Sequence, residues 1–263
     1  LWTYEIDGRS SERSVDTQPT VAHGTVYVGG GGNVRRFHAV DAATGEEQFV
    51  SQYERDVRQP AVVSNGWAYV SDDDGTFHAV NPVTGIDEWT FDSVRGKFEA
   101  AAAADSQITL VDEAGHLYAL DAQSGRPLWE NSDVYTGPPV VASGTVYVPR
   151  EDAVVGYDTA SGQEALTVDI DSRVETLAVA GETVYAGGDR GLLAAVDTED
   201  GRVRWSTRAV EVDSSSAEAS LSSLVLAYGA VFAVGGTYEK ELIAFTADSD
   251  TISARGSLDE VQL

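Results

Sequence analysis

The sequence predicts an all-β chain, a β-propeller of four-stranded antiparallel blades, with six blades favoured and a seven- or eight-bladed ring with upstream blades missing as the alternative. Three observations carry this. One segment recurs six times: AVDAATGEEQF at 39–49, AVNPVTGIDEW at 79–89, ALDAQSGRPLW at 119–129, GYDTASGQEAL at 156–166, AVDTEDGRVRW at 195–205 and a worn AFTADSDTISA at 244–254. Its turn glycines, Gly45, Gly85, Gly125, Gly162 and Gly201, are 40, 40, 37 and 39 residues apart, the length of one four-stranded blade. A second stretch precedes the copies, as in VVASGTVYVPR at 140–150, with relatives at 20–30, 61–71 and 177–188.

Each repeat resolves into four strands, A to D. Strands A and B flank a tight turn, because Asn65-Gly66 and Ser143-Gly144 supply residues that accept positive φ. Strand B is Thr-Val-Tyr-Val or a relative, β-branched and aromatic, suited to a pleated surface. Strand C ends in the Val-Asp pair. The Asp-x-x-Thr-Gly turn follows: the Asp or Thr side chain bonds nearby backbone N–H groups and the glycine takes the left-handed conformation. Strand D then carries a large apolar residue four positions after the glycine: Phe49, Trp89, Trp129, Leu166 or Trp205.

Sheets this small with apolar residues on both faces are not stable alone, but radial stacking buries both faces of every blade. The strand-D residues therefore read as docking residues between blades, each indole N–H meeting a backbone acceptor. The pattern A-x-D-x-x-[TS]-G-x-x-x-W, with its preceding Val-Tyr-Val strand, resembles the PQQ-like repeat, known from quinoprotein dehydrogenases and from the propeller scaffold of outer-membrane protein assembly. The resemblance covers nearly the whole chain. It speaks to fold and not to activity.

Counting the strands leaves one over. Trp2 stands where a strand-D tryptophan belongs, so 1–8 reads as an orphan outer strand ahead of six A–B–C sets, and the simplest closure pairs it with the blade made by residues 221–246. Residues 1–263 read as a single domain. The start Leu1-Trp2-Thr3-Tyr4, inside a repeat, suggests a processed precursor or a trimmed chain.

Composition removes several functions. The 263 residues contain no cysteine, so disulfides, thiolate metal sites and cysteine nucleophiles are excluded. No apolar run reaches the roughly 18 to 20 residues of a membrane-spanning helix. With 43 acidic and 17 basic residues the net charge is −26, which repels nucleic acid and anionic lipid. Only Lys97 and Lys240 are lysines, and the composition resembles that of proteins from extreme halophiles. The PQQ-like resemblance implies a quinone held over calcium in the dehydrogenases of the family. The chain lacks their neighbouring-cysteine ring, has roughly half their length, and offers no motif onto which a calcium ligand or base transfers, so no cofactor is expected.

No catalytic residue emerges either. His38 and His78 share a strand-C position where the third repeat has Tyr118 and the fourth Val155, which marks a packing site. His23 and His116 fall in turns, and neither Gly-x-Ser-x-Gly nor His-Glu-x-x-His occurs. Asp72-Asp73-Asp74-Gly75 offers clustered carboxylates but occupies a B–C hairpin, so no metal is expected. Gly29 to Gly32 with Asn33 reads as a hairpin turn with spare glycines rather than a phosphate cradle.

Loop sorting supplies a candidate surface. Propeller topology puts the D–A and B–C loops at one end of the strands and the A–B and C–D turns at the other. The first set holds 13 of the 17 basic residues, and those carried forward as candidate binding residues are Arg9, Arg13, Arg35, Arg36, Arg55, Arg58, Arg95 and Lys97. The C–D rim holds Asp41, Glu46, Glu47, Asp87 and Asp121 with little basic relief. The arginine-bearing end is expected to dock a protein partner or a small anionic ligand through guanidinium forks. The alternative is that acidic neighbours such as Glu54, Asp56 and Asp171 merely balance these charges. Two long polar loops, 6–18 and 211–220, lie at the same end. The expected function is a non-catalytic scaffold or binding module, extracytoplasmic or at the cell surface. The alternatives are a quinoprotein dehydrogenase fragment and a ligand-sensing domain of a signalling protein.

Overall fold

The computed structural model describes the chain except residues 7–13, 16, 32–34, 94–95, 105, 134, 136, 209–219, 237–240, 248–251 and 258–263. Every regular element among the described residues is a strand, and the strands form six antiparallel sheets in sequence order. This is the β-propeller fold expected from the repeats. The chain divides into two compact units, Leu1–Ser132 and Asp133–Leu263.

The first unit holds three blades. In the first, β2 (Thr20–Ala22), β3 (Thr25–Gly31), β4 (Arg36–Asp41) and β5 (Glu47–Gln52) follow in order, and β1 (Ser14–Val15) adds a short pairing to β3. The second is β6 (Val62–Ser64), β7 (Trp67–Ser71), β8 (Thr76–Val80) and β9 (Asp87–Asp92); the third is β10 (Phe98–Ala104), β11 (Gln107–Asp112), β12 (Leu117–Asp121) and β13 (Pro127–Asn131). The second unit repeats the plan: β14 (Val140–Ala142) to β17 (Glu164–Asp169), β18 (Val174–Ala180) to β21 (Val203–Arg208), and β22 (Ser220–Ala227) to β25 (Ile252–Ser257).

The turn chemistry is the one the residues demand. At the A–B turns His23, Asn65, Ser143 and Tyr228 take φ of 50 to 52° and the following Gly24, Gly66, Gly144 and Gly229 take 74 to 80°, the two positive values of a type I′ turn. At the C–D turns one carboxylate oxygen of Asp41 accepts the N–H of Ala43 and Thr44 and the Thr44 hydroxyl, and Asp121 and Asp158 do the same with Ser124 and Ser161. These bonds lower the pKa of Asp41, Asp121 and Asp158 below the ordinary carboxylate value.

Strands B and C are buried on both faces, as in β7 and β8, while strand D alternates, as in β9. Each C–D pair carries a register shift at the same place, between Ala39 and Val40, Ala79 and Val80, Ala119 and Leu120, Gly156 and Tyr157, Ala195 and Val196, and Ala244 and Phe245. The bulge re-aims the strand just before its docking residue, which lies opposite the small residue of strand C. The Phe49 ring covers Gly85, the Trp89 indole covers Gly125, and Trp2 covers Gly45. The indole N–H groups of Trp2 and Trp89 donate to Ala42 O and Ala122 O, each at 3.1 Å. Ala122 O also receives the hydroxyl of Tyr69, from strand B of the preceding blade, at 3.2 Å.

Two expectations are corrected. The outer position of the last blade is taken by β25, paired to β24 (Glu241–Thr246) with Ala254 opposite Ala244; Leu1–Ile6 forms no strand, although Trp2 occupies a docking slot. Backbone pairing suffices to seat β25 without a tryptophan. Gly29, Gly30 and Gly31 are not turn residues: β3 runs through them, pairing with Ser14 and Val15 on one side and with β4 on the other. A Cβ at Gly29 would run into Val57 O and Thr17, so close approach explains that glycine. Gly32 and Asn33 fall outside the described residues, as does 211–219 of the second long loop.

Candidate functional site

Backbone hydrogen bonds fix which loops meet. Asp73 N–H donates to Asp56 O and Glu113 N–H to Lys97 O, tying each D–A loop of the first unit to the B–C hairpin of the blade that follows. In the second unit Asp189 N–H donates to Arg173 O in the same way. At the other end Ala42, Ala122, Thr159, Thr198 and Ala247 donate their N–H to the A–B turns. Loop sorting by topology therefore holds within each unit.

Of the eight candidate residues, Arg9, Arg13 and Arg95 lie outside the described residues. The rest belong to the first unit. Arg55 and Arg58 come together on the hairpin carboxylates: Arg55 Nε lies 2.7 Å from Asp74, while Arg58 Nε lies 2.7 Å from Asp73 and its Nη2 2.8 Å from Asp56. Both arginine side chains are 52% exposed, so these pairs tie the loop to the hairpin while leaving half of each side chain on the surface. Arg35 takes φ +48° and its carbonyl accepts from Gln52 and Tyr53. Arg36 donates to the Gln52 side chain at 3.0 Å. Lys97 stands half-buried at the start of the third blade. Asp73 and Asp74 were not among the acidic neighbours expected from sequence adjacency; the Asp72–Asp74 run, already placed at this end, was the available signal.

Beneath this surface lies a buried polar cluster. His78 Nδ1 is 2.8 Å from Asp87, its Nε2 is 3.5 Å from Asp72, and its ring packs tilted at 4.3 Å against Tyr53, whose hydroxyl donates to Asp87 at 3.0 Å. Burial opposes the charge on His78, but the two carboxylates outweigh it and raise the pKa to about 9. Burial would also raise Asp72, yet His78 and the N–H groups of Thr76 and Asp74 hold it below the ordinary value. Burial and Asp87 push Tyr53 upward, so it stays a neutral donor. His38 is 1% exposed and its Nδ1 lies 3.0 Å from the Tyr4 hydroxyl. Both histidines fill seams, as the interchange with Tyr118 indicates.

The donors present do not fit a quinone over calcium. The chain has no cysteine, and among the described residues no three His, Asp or Glu side chains are grouped to hold a metal ion. Asp72, the most buried of the Asp72–Asp74 run, is spent on two N–H groups and on His78. Asp112 repeats this, accepting from the N–H of Ala114 and His116 and from the Tyr118 hydroxyl. These carboxylates shape hairpins.

Comparison with known proteins agrees with the architecture. Residues 1–133 and 113–253 match the family described as outer membrane protein assembly factor BamB. Among curated proteins none matches. Among solved structures, the crystal structure of BamB from Moraxella catarrhalis is similar, with TM-score 0.70 at 19% identity over 92% of this chain and 74% of that one. The computationally designed Ika8 protein gives 0.71 at 16% identity over 85% and 68%. At these identities the likeness shows the fold.

Proposed function

The chain belongs to the PQQ-like repeat family of the outer membrane protein assembly factor BamB, and from that membership we propose that it is a non-catalytic protein-interaction scaffold whose arginine-bearing loop end docks an acidic partner. The observation that carries the reading is the meeting of D–A loops with B–C hairpins, which gathers Arg55, Arg58 and Lys97 at one end of the strands. The ion pairs with Asp73 and Asp74 hold the guanidiniums in place, which lowers the conformational cost of presenting them to a carboxylate-bearing surface. The family name supports a role in protein assembly, and with it an extracytoplasmic location. Residues 1–263 act as one domain in this reading.

The test is charge reversal. Arg55→Glu with Arg58→Glu should weaken binding to an identified partner by tenfold or more, measured by isothermal titration, while far-ultraviolet circular dichroism stays unchanged. Undiminished binding by a folded double variant would remove the arginine-bearing end from the interaction.

A further inference from the structure

Beside the D–A and B–C loops, three clefts recur at repeat-equivalent places, along the first residues of a strand C and the last of its strand D. One of about 350 Å³ lies at Arg36, His38, Val50 and Gln52. A second, about 400 Å³, lies at Ala153, Thr167 and Asp169, and a third, also about 400 Å³, at Leu192, Ala194, Ser206 and Arg208. Three of the seams carry a pair of rings at this position. Tyr4 lies against His38 at 5.7 Å, Tyr53 against His78 at 4.3 Å and Phe91 against Tyr118 at 5.7 Å.

In the seam between β17 and β20 (Leu192–Asp197) Tyr147 belongs to the buried cluster, but among the described residues no ring stands at the strand-C position or at its β17 neighbour. The third strand-C residue is Ala194 and the facing residue of β17 is Val168. The cleft keeps an apolar wall of Ile170, Leu192 and Ala194, all buried, with Val203 as its lip at 41% exposure. Its polar rim carries the exposed carboxylates of Asp169 and Asp171, which form no ion pair among the described residues, and the hydroxyls of Ser206 and Thr207. Arg208 is occupied: its Nη1 donates to Asp189 O at 3.1 Å, Arg190 O at 3.2 Å and the Ser172 hydroxyl at 3.4 Å.

We propose that this seam is a small-molecule site for an arylalkylamine, whose ring takes the place that rings occupy in the seams of His38, His78 and Tyr118 and whose ammonium meets Asp169 and Asp171. An apolar wall with convergent polar groups in a cleft of this volume suits a ligand of fragment size. Two carboxylates against one committed guanidinium, on a chain of net charge −26, select a cation over an anion. A ligand with so few atoms binds weakly, with a Kd on the order of 1 mM.

The experiment is titration of the protein with 2-phenylethylamine, followed by amide chemical shifts, with 2-phenylethanol and 3-phenylpropionate as neutral and anionic comparators. Saturable shifts around Ala194 and Ser206 are expected for the amine, with at least fivefold weaker binding of both comparators. Asp169→Asn with Asp171→Asn, two exposed positions, should weaken the amine at least fivefold. Ala194→Tyr, which installs the ring that Tyr118 places at this position, should abolish binding; if that variant does not fold, the asparagine pair decides. Absence of saturable shifts at 10 mM amine, equal binding of the anion or the neutral alcohol, or undiminished binding by the asparagine pair each overturns the assignment.

Discussion

His78 carries a charge inside a seam, and the sign of its effect on stability follows from its neighbours. Its folded pKa, about 9, lies above the ordinary histidine value of 6.5. The stabilisation is fully present below pH 6.5 and is lost as the pH rises through about 9. With the side chain only 8% exposed, solvent screening is small and the loss amounts to up to about 3 kcal/mol. Thermal unfolding from pH 6 to 10 should show the midpoint falling across this window. His78→Tyr, the residue of the third repeat, should flatten that slope; an unchanged slope would place the titrating group elsewhere. The histidine pattern was legible in the sequence as a packing position. Its partner Tyr53 was not, because Tyr53 lies four positions beyond the docking Phe49, whereas Tyr4 lies two beyond Trp2 and Phe91 two beyond Trp89.

The seam between blades depends on a ring set on a glycine, and two glycines separate the causes. Gly125 and Gly201 share φ +68°, but a Cβ on Gly125 would run into the Trp89 indole while one on Gly201 would meet nothing nearer than Val168 at 3.6 Å. Gly201→Ala therefore tests left-handed strain alone, about 1 to 2 kcal/mol. Gly125→Ala must also displace the indole and should cost about 2 kcal/mol more, read as the difference in urea midpoints. Trp89→Ala should cost about 3 kcal/mol through lost burial and the loss of one of the two hydrogen bonds to the Ala122 carbonyl. Equal costs at the two glycines would contradict the docking role. Period, turn glycines and strand order could be read directly because each is local and repeated. The bond from Tyr69 to Ala122 spans 53 residues and that from Arg55 to Asp74 spans 19. Local pattern carries no trace of such pairs; they arise only once blades and hairpins are set side by side. The glycines of β3 were misread because a run of glycines looks the same whether it turns or admits a neighbour's carbonyl.

For the molecule as a whole, charge sets the conditions, and the proposed scaffold role rests on loop topology. A net charge of −26 opposes the compact state, and raising salt from 0.1 M to 1 M shortens the Debye length from about 10 Å to about 3 Å. The unfolding midpoint should rise steadily over that range; a flat or falling response would show that self-repulsion is not limiting. The same screening bears on the arginine-bearing end, whose ion pairs to Asp73 and Asp74 are half exposed. The two ends of the strands can be compared directly in one preparation. A photo-crosslinking residue is placed at Glu54 beside Arg55, or at Val83 in the C–D turn of the same unit, which is 81% exposed, and adducts formed in whole cells are identified. A scaffold working through its arginine-bearing end gives a discrete acidic protein partner from position 54 and none from position 83. The same partner captured from position 83 and not from position 54 would contradict it.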